Sequence, residues 1–387
     1  MRQVYLDQQA ATPVLPEVFE AMRPFFTEVY GSASSMHQHG LRVREALGKA
    51  REQAAKLVNA AFPEEIIFTS GGTEAVNLAV KGLASANRIR GNHIVTTAIE
   101  HPAVLGSLEF LETQGCTITK VKVDKEGFVD PEEVRRNVTQ ETILICVHQA
   151  NHDIGTIQPL RAIGQVANEK GVPLFVDANF SGGWLPMDVQ SLGISLLSLS
   201  PHRFYGPKGV GVLYKHRRTR LASLIHGGVQ EGGRRAGTEN VPGIVGAGVA
   251  CEAAQREMAG RVTHTASLQR KFWEGLKARV PKMRLNGPEP GERRISTNLN
   301  ISFEQVEGEG LMLLADTRGL AFASGTACIS KALKVSPVLT AIGVEHSAAQ
   351  GAVLFSLGKD NTEEEIDYVL EVLPKLVERL RSMAPGS

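Results

Sequence analysis

The sequence predicts an α/β protein with a large domain over residues 15–250, built on a mostly parallel sheet. Residues 1–14 and 251–387 are expected to form a smaller α+β domain. Three observations carry this. Short β-branched runs alternate with amphipathic segments from Glu65 to about Tyr214, a pattern that places helices on both faces of a parallel sheet. After about Gly246 the chain changes to long helical patterns around a single clear strand. Apolar residues make up 42% of the 387 residues and charged residues 21%, which allows a sizeable core.

The strands are expected, in order, at Ile66–Thr69, His93–Thr97, Ile118–Val123, Thr142–Val147, Pro173–Asp177 and Ile194–Leu199. Each is a short apolar or β-branched run bounded by turn-forming residues. Helical periodicity places helices at Glu74–Ala84 and Leu160–Lys170 between them. Further on, a helix is expected from about Gly246 to Arg279, a strand at Thr297–Ser302, and an amphipathic helix from Glu363 to about Arg381.

Net charge is +1, which leaves no electrostatic footprint for nucleic acid or an anionic membrane surface. No window reaches the roughly 18 apolar residues of a membrane span, and the N-terminus lacks the apolar stretch of a signal peptide. The cysteines Cys116, Cys146, Cys251 and Cys328 show no CxxC pairing, a usage that suits a reducing cytoplasm.

Parallel sheets of this kind bind ligands beyond the carboxyl ends of their strands, and four segments at such ends or in loops hold chemistry-bearing residues. In Ser70-Gly-Gly-Thr73, Gly72 lets backbone amides approach a phosphate while the Thr73 hydroxyl adds a donor at a helix start. A plain strand–helix turn with Thr73 as cap is the alternative. Asp177 ends a buried run, where it suits either a protonated ring nitrogen or the N-cap of a helix. His101, in Glu100-His101-Pro102, suits stacking on a flat ligand or acid/base work, or simple hydrogen bonding. Cys328 ends a small, flexible run beginning at Ala323; such a thiol is a nucleophile or sulfur carrier if accessible and acidified, or an inert buried residue.

These segments, with Tyr5–Pro13, Asn151–Pro159, Gly206-Pro-Lys-Gly209 and Gly237–Gly243, resemble the cysteine desulfurases over nearly the whole chain. The resemblance implies a class V aminotransferase relative with the fold-type-I architecture of pyridoxal phosphate enzymes, working as a homodimer. It implies a reaction that takes sulfur from L-cysteine as a persulfide, releases alanine, and passes the sulfur to an acceptor or iron–sulfur scaffold protein. By position, Thr73, Ser200 and His202 match phosphate ligands, and Thr238 matches one given across the dimer. Asp177 matches the ring-nitrogen partner, His101 the stacking acid/base, and Cys328 the persulfide carrier. Lys208 matches a lysine ordinary members carry in addition to the imine-forming one.

The pattern breaks at the chemistry. Arg203 stands where the imine-forming lysine is expected, and a guanidinium stays protonated and makes no imine. Phe180 replaces a glutamine at the ring, His152 an asparagine near it, Leu354 an arginine for the substrate carboxylate, and Ser32 an asparagine of the substrate side. The expectation is a desulfurase homologue whose conventional reaction is lost or strongly impaired, with pyridoxal phosphate noncovalent or absent. Two alternatives stand beside it: a working desulfurase with noncovalent cofactor, and altered chemistry in the old pocket, with an anion on Arg203 or a metal. For the metal, His101, His152, Asp153, Asp177, His202 and Cys328 are the ligand set, but no metal-binding spacing such as HExxH is present, and no metal is expected.

Overall fold

The computed structural model describes residues 2–327 and 334–383. Seven strands form the main sheet: β1 Ile66–Thr69, β2 His93–Thr97, β3 Thr117–Val121, β4 Thr142–His148, β5 Leu174–Asp177, β6 Leu196–Leu199 and β7 Gly211–Lys215. Their order across the sheet is β1-β7-β6-β5-β4-β2-β3. β2 pairs in parallel with β3 and β4, and β4, β5 and β6 continue the parallel set. β7 runs antiparallel to both β6 and β1. One reversed strand therefore leaves β1 pointing the same way as the parallel set, and the loops after β1, β2, β4, β5 and β6 all emerge at one edge.

Helices cover the sheet: α1 Gln38–Val58, α2 Gly72–Ala86, α3 Pro102–Thr113, α4 Leu160–Lys170 and the first half of α5 Val241–Arg279. The strands are buried throughout except β3 at the edge, as expected where both faces are packed. One core beneath α1 and α5 holds Val43, Ala54, Val176, Leu197 and Ala250; the opposite face packs Val76, Leu83, Ile94 and Leu213 around α2 and α3.

A second sheet joins β8 Met283–Leu285, β9 Asn298–Phe303, β10 Ala323–Ser324 and β11 Ala352–Ser356. It packs with the end of α5 and with α6 Glu363–Met383 around Phe272, Leu299, Phe355, Leu370 and Leu373. Val4 and Leu6 belong to this core, because Val4–Tyr5 pairs in parallel with Leu320–Ala321. The anticipated elements recur with shifts of one to a few residues at their ends. β7 was not anticipated, and α5 begins at Val241, ahead of Gly246. The boundary drawn at 250/251 falls inside α5. Among the described residues no helix is long and apolar enough to cross a membrane.

Candidate active site

Gly71 ends the turn after β1 and is the N-cap of α2, so Thr73 is not the cap that the alternative reading supposed. Gly72 is held so close to the neighbouring loops that a Cβ there would lie 2.1 Å from Ser200 Oγ and 2.4 Å from Asn179 Oδ1. No real Cβ tolerates such contacts, and glycine is the residue that allows the approach. Ser200, which follows β6, donates through Oγ to Asn179 Oδ1 at 2.8 Å. Asn179 in turn donates through Nδ2 to Asp177 Oδ1 at 2.6 Å and to Ser198 Oγ at 3.0 Å. Asp177 Oδ1 also accepts from the Asn179 amide, while its Oδ2 is buried with no partner. No helix follows Asp177, so it is not a helix N-cap.

After β2, His101 is the N-cap of α3, its Nδ1 accepting from the Ala103 amide at 3.1 Å. Its ring lies 5.1 Å from the His152 ring, edge to face, and 5.3 Å from the Phe180 ring. His152 and Phe180 are also 5.3 Å apart. The Arg203 guanidinium lies 3.7 Å over the centroid of Phe180, a cation–π contact. Its main-chain carbonyl accepts from Trp184 Nε1 at 3.1 Å. Nε and Nη1 of Arg203 are sealed from solvent without an acceptor. Burial pulls Arg203 down to about 10, so it remains a cation at neutral pH.

Behind this cluster lies a buried carboxylate. Glu100 Oε1 accepts from Thr97 Oγ1 at 2.7 Å, the His148 amide at 3.2 Å and His148 Nδ1 at 2.9 Å. Asn151 pins the loop after β4 by accepting from the amides of Asp153 and Ile154 and donating to the Ile99 carbonyl. Ser336 donates to Asp153 Oδ2, tying that loop to the segment that follows residue 333.

A cavity of about 420 Å³ opens among these loops, lined by Gly71, Gly72, Thr73, His101, Phe180, Ser200, His202, Arg203 and Lys208. The structure thus brings together Gly72, Thr73, His101, Ser200, His202 and Arg203, with His152 and Asp177 against them. Thr238 stands apart, exposed on a neighbouring depression shared with Ser70 and Gly209. Leu354 sits in the second sheet, with Asn300 and Ala323 as its strand partners. Cys328 lies outside the described residues. Among the described residues no group of three His, Cys, Asp or Glu is placed to hold a metal. Asn179, Glu100 and His148 escaped the sequence reading, although Asn179 follows a strand-end carboxylate by two residues.

Burial and the nearby cations keep the pocket histidines neutral. His101 is held down to about 4 by burial and then by His152 and Arg203, His152 to about 3 by burial, His148 and Arg203, and His202 to about 4 by burial, Arg203 and Lys208. Burial raises Asp153 to about 6, against a donated bond from Ser336 that lowers it. The depressed histidines bind protons in the unfolded chain near pH 6.5 but not in the folded one, so stability falls as pH drops. Asp153 works the other way between its ordinary 3.8 and about 6, holding a proton only when folded. With the shift of the partly solvated His202 discounted for screening, the net uptake on unfolding is between one and two protons, so stability should fall by roughly 2 kcal/mol per pH unit between pH 6 and 5. Urea unfolding at pH 6 and pH 5 measures this; a flat profile contradicts it.

Strand order, the tight glycine turn after β1 and the carboxylate at the end of β5 place a candidate site at the carboxyl edge of an α/β sheet. The aminotransferase class-V family model matches residues 4–369, and the chain belongs to this family, within its cysteine desulfurase branch. It is 47% identical over 384 residues to a cysteine desulfurase IscS of Clostridium botulinum, covering 99% of this chain and 96% of that one. A cysteine desulfurase IscS of Methanosarcina thermophila is also 47% identical, over 99% of this chain and 94% of that one. Among solved structures, a NifS-like protein superposes with a TM-score of 0.91 at 36% identity, covering 98% of this chain and all of the other.

Proposed function

We propose that this chain is a desulfurase homologue that no longer runs the conventional pyridoxal phosphate reaction and serves sulfur trafficking, as a dimeric carrier or assembly partner. The observation that carries the reading is Arg203, stacked on Phe180 where the scaffold needs an amine.

Pyridoxal phosphate, the cofactor the family implies, fits this chain in part. The phosphate end suits it: Gly71, Gly72 and Thr73 open α2, and Ser200 and His202 face the same cavity. At the ring end, the unpaired Oδ2 of Asp177 is the acceptor a ring N–H would need. The surroundings of the ring do not suit it. Phe180 packs against His101 and His152 and carries Arg203 on its face. Arg203 makes no imine, and Lys208 is exposed at the cavity rim. No catalytic step is therefore assigned through the cofactor.

The carrier role rests on Cys328 and on family resemblance, as do the homodimer, the sulfur-acceptor or iron–sulfur scaffold partner and the cytoplasmic setting. The test is to mix purified full-length protein with L-cysteine and pyridoxal phosphate, recording alanine release and the visible spectrum. The expected result is no alanine above the protein-free rate and, before cysteine is added, no imine band from protein and cofactor alone. Turnover with a free-aldehyde spectrum would instead favour noncovalent cofactor use, which the unpaired Asp177 oxygen would then explain.

A further inference from the structure

The guanidinium of Arg203 makes no hydrogen bond or ion pair among the described residues; its carbonyl and amide are its only bonded groups. Nε and Nη1 are sealed without acceptors, whereas Nη2 is not sealed with them. A cation taken out of water without a bonded partner is costly; the carboxylates of Asp177 and Asp7 act on Arg203 only through space, and it borders a cavity that other positive groups also line. The start of α2, a 15-residue helix, contributes the dipole and free amides at Gly72 and Thr73, which favour anions. Lys208 adds a second cation. The carboxylate at the wall, Glu74, is already engaged by Arg235 at 3.0 Å and by the Ser70 amide. Phe180 packs against His101 and carries Arg203 on one of its faces, which leaves a planar ring less aromatic surface to stack on.

We propose that this cavity binds a small, non-aromatic phosphate compound carrying a second anionic group. The phosphate lies against Gly71–Thr73 and Ser200, and the second anion pairs with the guanidinium of Arg203. This goes beyond the function proposed above and rests on its claim that no imine forms at residue 203. Arg203 then has a positive role: it replaces a covalent tether with an ionic one and changes the ligand class the pocket selects.

The probes are 3-phosphoglycerate, which has phosphate and carboxylate, and glycerol 3-phosphate, which lacks the carboxylate. Both are titrated calorimetrically into the full-length protein, with pyridoxal phosphate in a parallel arm. A charge-assisted pair to Arg203 makes 3-phosphoglycerate bind about tenfold tighter or more. Arg203→Met removes that preference, and Thr73→Val weakens both ligands. In the ligand-free protein Arg203→Met raises the melting temperature, because a buried charge without a partner is replaced by an apolar chain of similar length. A purely structural Arg203 would instead lower it. Equal affinity for the two probes, no binding of either, or a preference that survives Arg203→Met overturns the proposal. Pyridoxal phosphate binding without an imine while both probes fail to bind also overturns it, and leaves the function proposed above standing. An imine band in the parallel arm refutes that function and this proposal with it.

Discussion

Arg203→Lys alone will not restore alanine release from cysteine. A lysine in this partly buried position would be a competent nucleophile, since desolvation lowers an amine toward its neutral form. The obstacle lies in what surrounds it. Phe180 packs against both His101 and His152, and it cannot supply the hydrogen bond of a glutamine there. Leu354, 7% exposed between Asn300 and Ala323, offers no cation to a substrate carboxylate. A lost charge-assisted bond of that kind is worth about 1.5–3 kcal/mol, or roughly tenfold to a hundredfold in rate. The matching experiment reverts Arg203→Lys, Phe180→Gln, His152→Asn and Leu354→Arg together. The quadruple variant is expected to gain an imine band and measurable alanine release, and the single variant to stay at the protein-free rate. Restoration by Arg203→Lys alone would mean that the other three changes are neutral.

The largest stability effect is expected at Glu100→Ala. Glu100 is 1% exposed, and its Oε1 collects donors from Thr97 and from both the main chain and the ring of His148. Removal of the carboxylate strands those donors where water cannot replace it, at a cost of about 3–5 kcal/mol. Glu100→Gln should lose less, because the amide oxygen can keep all three bonds of Oε1 while the NH2 takes the place of Oε2, which is buried without a partner. Urea unfolding of both variants measures the difference. Equal losses would show that volume, not hydrogen bonding, is what Glu100 supplies. The damage should also reach the pocket, since His101 follows directly and His148 ends the neighbouring β4.

Much of the architecture was legible because each strand is a contiguous β-branched run and each helix has its own period. Leu160–Lys170, for example, needs no distant information. The reversed strand β7 was not read: its direction depends on pairing with β1, nearly 150 positions earlier in register. The same limit applies to the site. Thr73, His101 and Asp177 follow or end strands and are legible by position, whereas His202 was legible only through the family resemblance. Glu100 and His148 meet across 48 positions, and the Asn179–Ser200 bond joins two separate loops. The stack of Arg203 on Phe180 was open to chemical suspicion from the residue types, but its geometry is a property of the fold.

Helix α5 contributes Ile244, Ala247 and Ala250 to the core under the main sheet, and Leu268, Phe272 and Leu276 to the core of the second sheet. At roughly 60 Å it acts as a common spine. Neither core can lose its share of that spine without unravelling a rod the other depends on, so the two halves are bound to melt as one cooperative unit. A fragment ending near residue 250 would carry a broken rod with bare apolar flanks, prone to clumping and unable to stand alone.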